Sequence, residues 1–387
     1  MRILFSLTYY SPYVSGLTEY VKNLAEALAG EGQQVKVICL RHKRELAERE
    51  KINGVETARV RPWIKISKGW LSGEWIIKAW KEVKKCDVVI INLPQVEGVI
   101  TAVAAKLLSK KIVAIYICRV ETKNKLAAKI LEWSSEAVLY LADKAVTLTR
   151  DYAEAVQEVG RYTDKLEYIY PMTAKLGRDR KWEEGAKREI GQGNLVVGFA
   201  GRMAGEKGVE YLLEGFSEVK KKLRGKAKLV MAGPEEAAGE EGYKKHIRRL
   251  AERLGSGVVW LGQVPEGKMG SFYRLLDMLV LPSINSTEAL GMVQIEAMLC
   301  GVPVVATDLP GVRVPIKETG MGIIVPIRDS QAIGRAMVEV VKTQKRLRFL
   351  RKTAENKFNN LKVLQRWMNI LTTFEQRLDS GTRKAGK

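Results

Sequence analysis

Two stretches of the sequence carry side chains whose types and spacing suit a phosphorylated, hydroxyl-bearing ligand. Residues 198–216 read GFAGRMAGEKGVEYLLEGF, an apolar strand, a glycine-rich loop and the start of a helix. Arg202 and Lys207 project from that loop, five residues apart. A planar guanidinium fork beside a compact ammonium, where a strand ends and a helix begins, matches a diphosphate. Residues 283–301 read SINSTEALGMVQIEAMLCG after a second apolar run and predict a helix opening at about Gly291. Glu288 stands just before that helix and Glu296 just inside it, eight positions on. At the helical rise, eight positions set the carboxylates roughly 10–12 Å apart along the axis. The helix N-terminus between them offers free N–H groups and the positive end of its dipole to a diphosphate. A carboxylate on either side could grip the hydroxyls of two sugars joined through it. Taken singly, these are two loop cations in a basic chain, a capping acid and a solvated helix residue. It is the pairing of the two loops on one sheet edge that makes the pattern specific.

The elements that must position these loops form two series. Apolar, β-branched runs at residues 2–7, 34–40, 87–93, 111–117 and 144–149 alternate with helical stretches, the first being Thr18 to Gly30 with Tyr20, Val21, Leu24, Ala25 and Leu28 at helical spacing. Continuous apolar strands between helices are what a parallel sheet covered on both faces requires. A second series follows at 195–201, 228–233, 258–262, 278–283 and 302–307. The fold class expected is α/β, two Rossmann-like doubly wound domains facing across a cleft. The boundaries expected are a first domain over 1–171, a polar linker over 172–194, a second domain over 195–345, and a basic helical tail over 346–387 crossing back to the first.

Composition narrows the function classes. A length of 387 residues predicts two domains. Apolar residues at 46% and charged residues at 28% exclude a disordered or collagen-like chain. The cysteines (Cys39, Cys86, Cys118, Cys300) make no CxxC pair, and with only His42 and His246 beside them no zinc constellation forms. The opening MRILFSLTYY is too short an apolar run for a signal peptide, and no uninterrupted run suggests a spanning helix. The reading is a soluble or peripherally bound intracellular protein.

Charge is the unusual total, at +21. The last 46 residues hold 13 basic and 3 acidic groups, which suggests an anionic partner or else a tail that only aids solubility. No helix-turn-helix, RNP or finger pattern accompanies the charge, so nucleic acid is not expected as a partner. Trp63, Trp70, Trp75 and Trp80 lie among Lys65, Lys68, Lys78 and Lys81, a mixture that fits a membrane interface. Spacings of five keep Trp70, Trp75 and Trp80 off a common helix face. A core helix over 74–81 is therefore the favoured reading there, with loop 63–72 left as a candidate for acceptor or lipid contact.

The combination of GRMAGEKG, the Glu288 and Glu296 pair, and AMLCGVPVVATDLPG resembles retaining glycosyltransferase family 4, the glycosyl transferases group 1 proteins of GT-B fold. The segment YYSPYVSGLTEYVKNLAEALAGEGQQVKVI is similar to that family's opening strand, loop and helix, so the resemblance runs over most of the chain. It implies a transferase with a nucleotide-sugar donor, usually a UDP- or GDP-sugar, bound mostly by the second domain, and an acceptor in the first. Carried over, Arg202 and Lys207 hold the donor phosphates, Glu288 contacts the transferred sugar and Glu296 the ribose diol. Leu290, Gly291 and Met292 line the sugar and offer backbone N–H groups, while the backbone at Gly16 approaches the diphosphate from the first domain. Glu288, Arg202 and Lys207 are thus the expected catalytic groups.

The implied mechanism is electrostatic stabilisation of the departing nucleoside diphosphate, with the acceptor attacking from the leaving-group face. No DxD metal motif occurs, so neither metal nor cofactor is expected. The family places a histidine at the end of a first-domain strand where this chain has Ile117, with Arg119 two residues on. That departure motivates the alternative of a catalytically impaired nucleotide-sugar binder or scaffold. A glycan or lipid-linked acceptor, a role in cell-envelope glycan or glycolipid synthesis, and a cytoplasmic location peripheral to the inner face of the membrane complete the expectation. Because ligands come from both halves, closure of the cleft is expected to assemble the site.

Overall fold

The computed structural model describes residues 1–66, 69–120, 124–234 and 241–385. The chain divides into two compact units, Met1–Met172 with Asn359–Lys387, and Thr173–Phe358. No helix among the described residues is long and apolar enough to cross a membrane.

The first unit is built on an eight-stranded sheet. From one edge its strands are Leu166–Tyr168, Lys144–Thr147, Lys111–Tyr116, Val88–Leu93, Arg2–Ser6, Gln34–Leu40, Val55–Val60 and Arg49–Ile52, all parallel except the last. Every residue of Val88–Leu93 is buried, as a central strand covered on both faces must be. The strands at Arg49–Ile52 and Val55–Val60 escape the sequence pattern because charged and polar residues interrupt both, although only Glu56 of the second is exposed. Helix Gly16–Gly30 is capped by Ser15, whose Oγ accepts from Thr18 N at 3.2 Å. It buries the expected stripe of Tyr20, Val21, Leu24, Ala25 and Leu28.

Two expected boundaries are corrected. The segment 172–194 contains helix Arg180–Ile190, which belongs to the second unit. Its buried stripe, Glu183, Ala186 and Ile190, is too narrow to show among so many charges. Asp179 caps it, accepting from Trp182 N at 3.0 Å, while Asp179 N donates to Ser271 Oγ at 2.7 Å. The chain returns to the first unit at Asn359, later than the expected 346, because Ser330–Phe349 and Arg351–Lys357 both belong to the second. The last helix, Asn360–Ala385, then lies against Gly16–Gly30 and buries Trp367, Leu371 and Phe374. Arg366 donates to Tyr168 O at 2.5 Å.

Of the clustered tryptophans, Trp75 is fully buried in helix Glu74–Val83, its Nε1 donating to Thr101 Oγ1 at 3.0 Å, while Trp63 and Trp80 are exposed. The Trp70 side chain and residues 67 and 68 of the candidate 63–72 loop lie outside the described residues.

Where the winding of the first sheet reverses, beside Arg2–Ser6, buried polar groups gather. Ser6 Oγ donates to Gln95 Oε1 at 2.9 Å. Glu97, just before helix Gly98–Leu107, is buried, and its Oε1 has no partner among the described residues. Burial pushes its carboxyl up to about 7 against an ordinary 4.5, with a backbone hydrogen bond opposing. The folded chain therefore holds a proton that the unfolded chain releases between those two values. The contribution to stability is full below 4.5 and is lost as pH rises through about 7. Glu97→Gln should match wild type near the acid end and exceed it by about 3 kcal/mol above neutrality. Denaturant unfolding of the first unit across this pH range checks it, and a difference that does not grow with pH would refute the assignment.

Candidate functional site

The second sheet has six parallel strands, in the order Val258–Gly262, Ala227–Ala232, Leu195–Ala200, Met278–Leu281, Val304–Thr307 and Gly322–Val325. The chain winds outward from Leu195–Ala200 in one direction, then restarts at Met278–Leu281 and winds outward in the other. Right-handed crossovers put helices Val209–Lys222 and Met292–Leu299 on opposite faces, so the loops leading to them part at the carboxyl edge of two adjacent strands. Both chemistry-bearing stretches of the sequence emerge there.

The two loops are pinned together. Ile284 N donates to Glu206 O at 3.0 Å, bringing the backbone of one against the other. Gly208 ends the first loop with φ +60°, and a Cβ there would stand 2.3 Å from Pro282 O. Gly291 starts the helix of the second with φ +74°, and a Cβ would meet Leu281 Cδ2 at 2.3 Å. Only glycine fits either position. Gln294 holds the loop from behind, its Nε2 donating to Leu290 O and, at 2.9 Å, to Val312 O.

With the backbones fixed, Lys207 Nζ meets Glu288 Oε2 at 2.5 Å across the crevice. Ser283 Oγ donates to the same oxygen at 3.2 Å. Both interactions fall on Oε2, so Oε1 carries no hydrogen bond among the described residues. Arg202 is more than half exposed and pairs with Glu206 at 2.9 Å, one turn along its own loop. Glu296 accepts at 2.6 Å from Tyr273 Oη. Burial first, then the neighbouring carboxylate, pushes the Tyr273 hydroxyl well above its usual range, so it remains a donor that fixes Glu296. Among the described residues no group of three His, Cys, Asp or Glu side chains is placed to hold a metal ion.

Two family models match the chain, Glycosyltransferase Family 4 over residues 14–173 and Glycosyl transferases group 1 over residues 180–357. The chain belongs to the group 1 glycosyltransferases. An uncharacterized glycosyltransferase, MJ1607, of Methanocaldococcus jannaschii is 28% identical over 86% of this chain and 87% of its own. A D-inositol 3-phosphate glycosyltransferase of Segniliparus rotundus is 30% identical over 70% of this chain and 56% of its own. Among solved structures, Anabaena HepE in complex with UDP superposes with a TM-score of 0.78 at 17% identity, covering 96% of this chain and 100% of that one. That likeness shows the GT-B fold.

In this glycosyltransferase the second unit brings Arg202, Lys207, Glu288, Leu290, Gly291, Met292 and Glu296 to one sheet edge. Leu290 and Gly291 are buried and Met292 is half-buried at the helix start. Gly16 is exposed and opens a helix in the first unit. Ile117 lies there too, buried one residue past strand Lys111–Tyr116. Arg119, two residues on, is engaged by Glu132 and, at 3.5 Å, by Glu158, with its backbone N donating to Tyr152 Oη. Its flanking acids hold the guanidinium within its own unit.

Reading types and spacing alone misses Ser283 and Tyr273. Ser283 lies inside the quoted motif, but nothing there marks its direction, and Tyr273 comes from a different helix. The glycine geometry yields a test. Gly208→Ala should destabilise the second unit by about 2–4 kcal/mol, whereas Gly185→Ala, with open space in a helix, should be neutral or stabilise by roughly 0.5–1 kcal/mol. Thermal unfolding of the two variants checks this; equal effects would contradict it.

Proposed function

We propose that this glycosyltransferase moves a hexose from a UDP- or GDP-sugar to a glycan or lipid-linked acceptor hydroxyl, with retention at the anomeric carbon and without a metal ion. The observation that carries the reading is the Lys207 and Glu288 pair at the switch point. It puts a cation and a carboxylate with one unengaged oxygen side by side at a helix N-terminus. A diphosphate needs the first and a sugar hydroxyl the second. HepE, whose fold this chain shares, is described in complexes with UDP and with UDP-glucose, and that donor class suits the same edge here.

In the proposed reaction the bond between the anomeric carbon and the phosphate oxygen breaks as the bond to the acceptor oxygen forms on the same face. The acceptor proton passes to the departing phosphate, so no base on the protein is required. Negative charge grows on the diphosphate, where Arg202, Lys207 and the first N–H groups of helix Met292–Leu299 stabilise it. Glu296, held by Tyr273, takes the ribose diol. The two fixed cations supply the charge that a divalent ion would otherwise bring.

Nucleoside-diphosphate release from a panel of UDP-, GDP- and ADP-sugars, with EDTA present and crude membranes as the acceptor source, tests the reading. Wild type should turn over one donor, and Glu288→Ala and Lys207→Ala should each lose about 10²–10³ in kcat. The anomeric configuration of the product, read by NMR, should match that of the donor. Activity lost with EDTA would overturn the metal-independent step. Donor binding without any turnover would replace the reading with the impaired binder, and Ile117 would then be the residue to restore to histidine.

A further inference from the structure

Helices Glu74–Val83, Gly98–Leu107 and Lys125–Leu141 of the first unit lie side by side, the middle one touching both others. Each turns one stripe inward, as Trp75, Ala79 and Val83 do in the first. Their outward sides are not the polar surface that amphipathic helices of a sheet usually present. Ile76, Ile77, Trp80, Leu107, Leu126 and Trp133 all face solvent, with Leu107 and Leu126 at 68% and Trp133 at 62% exposure. On the third helix Leu126, Ile130, Trp133 and Tyr140 recur at helical spacing, a continuous apolar stripe. Large apolar side chains gathered on the solvent side of one helix layer mark a candidate interaction surface.

Cations surround it. Lys81, Lys84 and Lys85 stand at the carboxyl end of the first helix, and Lys125 and Lys129 at the start of the third. All five are exposed, and no carboxylate among the described residues is within ion-pair distance of them. The acids nearby are engaged elsewhere: Glu82 is buried against Lys36 and Arg49, Glu132 holds Arg119, and Glu136 holds Arg161. The exposed charge of the face is therefore positive.

We infer that this three-helix face docks on an anionic lipid bilayer. Lysines rimming an apolar centre suit a bilayer interface, where their aliphatic stems lie against acyl chains while the ammonium groups reach phosphate. Exposed tryptophans suit the headgroup layer. A protein partner fits less well, because lysine is depleted in such interfaces. A second copy packed about a two-fold axis would set the same lysines against one another. The last helix, Asn360–Ala385, packs against helix Gly16–Gly30, which the right-handed crossovers place on the opposite face of the sheet, so it adds nothing to this face.

Cosedimentation of the full chain with phosphatidylcholine vesicles, with and without phosphatidylglycerol, tests the inference in the absence of sugar nucleotide. Its failure would thus leave the donor reading intact, and the reverse. Wild type should bind only the anionic vesicles. Lys84→Ala/Lys85→Ala/Lys129→Ala should weaken binding by about 100-fold, and Ile77→Ser/Trp133→Ser should weaken it at low salt as well. Lys345→Ala/Arg346→Ala/Lys352→Ala removes equal charge from the second unit and should change binding less than about 3-fold. Circular dichroism confirms that each variant is folded. Wild type that ignores anionic vesicles would overturn the inference, as would equal losses in both charge variants. So would apolar-face variants that dissociate a dimer while still binding vesicles, since the occupant would then be a second copy.

Discussion

In an all-parallel sheet every strand ends on the same edge, and the chain can leave that edge to either face. Where the direction of winding reverses, two neighbouring strands send their loops apart, and the gap they leave is the one place at which residues from both loops meet over the sheet. The second unit depends on this constraint. Leu195–Ala200 and Met278–Leu281 are neighbours, so Lys207 and Glu288, remote in sequence, form an ion pair at 2.5 Å. The backbone bond from Ile284 N to Glu206 O draws the loops so close that Gly208 cannot carry a side chain. Site and scaffold are thus the same set of contacts: what seats the cation also closes the sheet edge.

Much of this was legible in the sequence, and the reason is physical. Strands buried on both faces are apolar throughout, so the central strands of both sheets stand out, and a helix that opens on glycine after a loop acid leaves a compact signature around Gly291. Of the marginal strands only Val258–Gly262 was legible: Leu166–Tyr168 is three residues long, Arg49–Ile52 alternates exposed and half-buried residues, and Gly322–Val325 has one fully buried residue. Helix Arg180–Ile190 was masked in the same way, because its buried stripe includes Glu183, whose charge is met by Arg178 at 3.0 Å. Partners supplied by other elements were also invisible. No spacing rule connects Tyr273 to Glu296, or Glu132 to Arg119.

The Arg119 result bears on how charge is used near Ile117. A guanidinium with two carboxylates within reach is held by them, and moving it toward a ligand would leave Glu158, which is nearly buried, without its partner. Stripping one member from such a pair costs more than the pair contributes. Position 117 therefore carries an apolar side chain, and the Arg119 guanidinium two residues on is committed to its own acids. Whatever a histidine would supply at this point is not supplied by Arg119.

The two faces of the first sheet are finished differently, and the difference follows from how each is covered. On one face the last helix lays Trp367, Leu371 and Phe374 inward and completes a layer with Gly16–Gly30. On the other, three helices already cover the strands, so no further element is needed for stability. Apolar side chains that remain there, such as Ile77, Leu107 and Trp133, do nothing for the core. They add exposed hydrocarbon to a surface that folding alone would leave polar. Placing unpaired lysines around them keeps such a surface soluble in water and favours one environment in particular, an apolar layer bordered by anions. Neither the apolar stripe nor the lysine rim would specify that surface by itself; together they suit an anionic bilayer better than a neutral protein interface or a purely electrostatic partner.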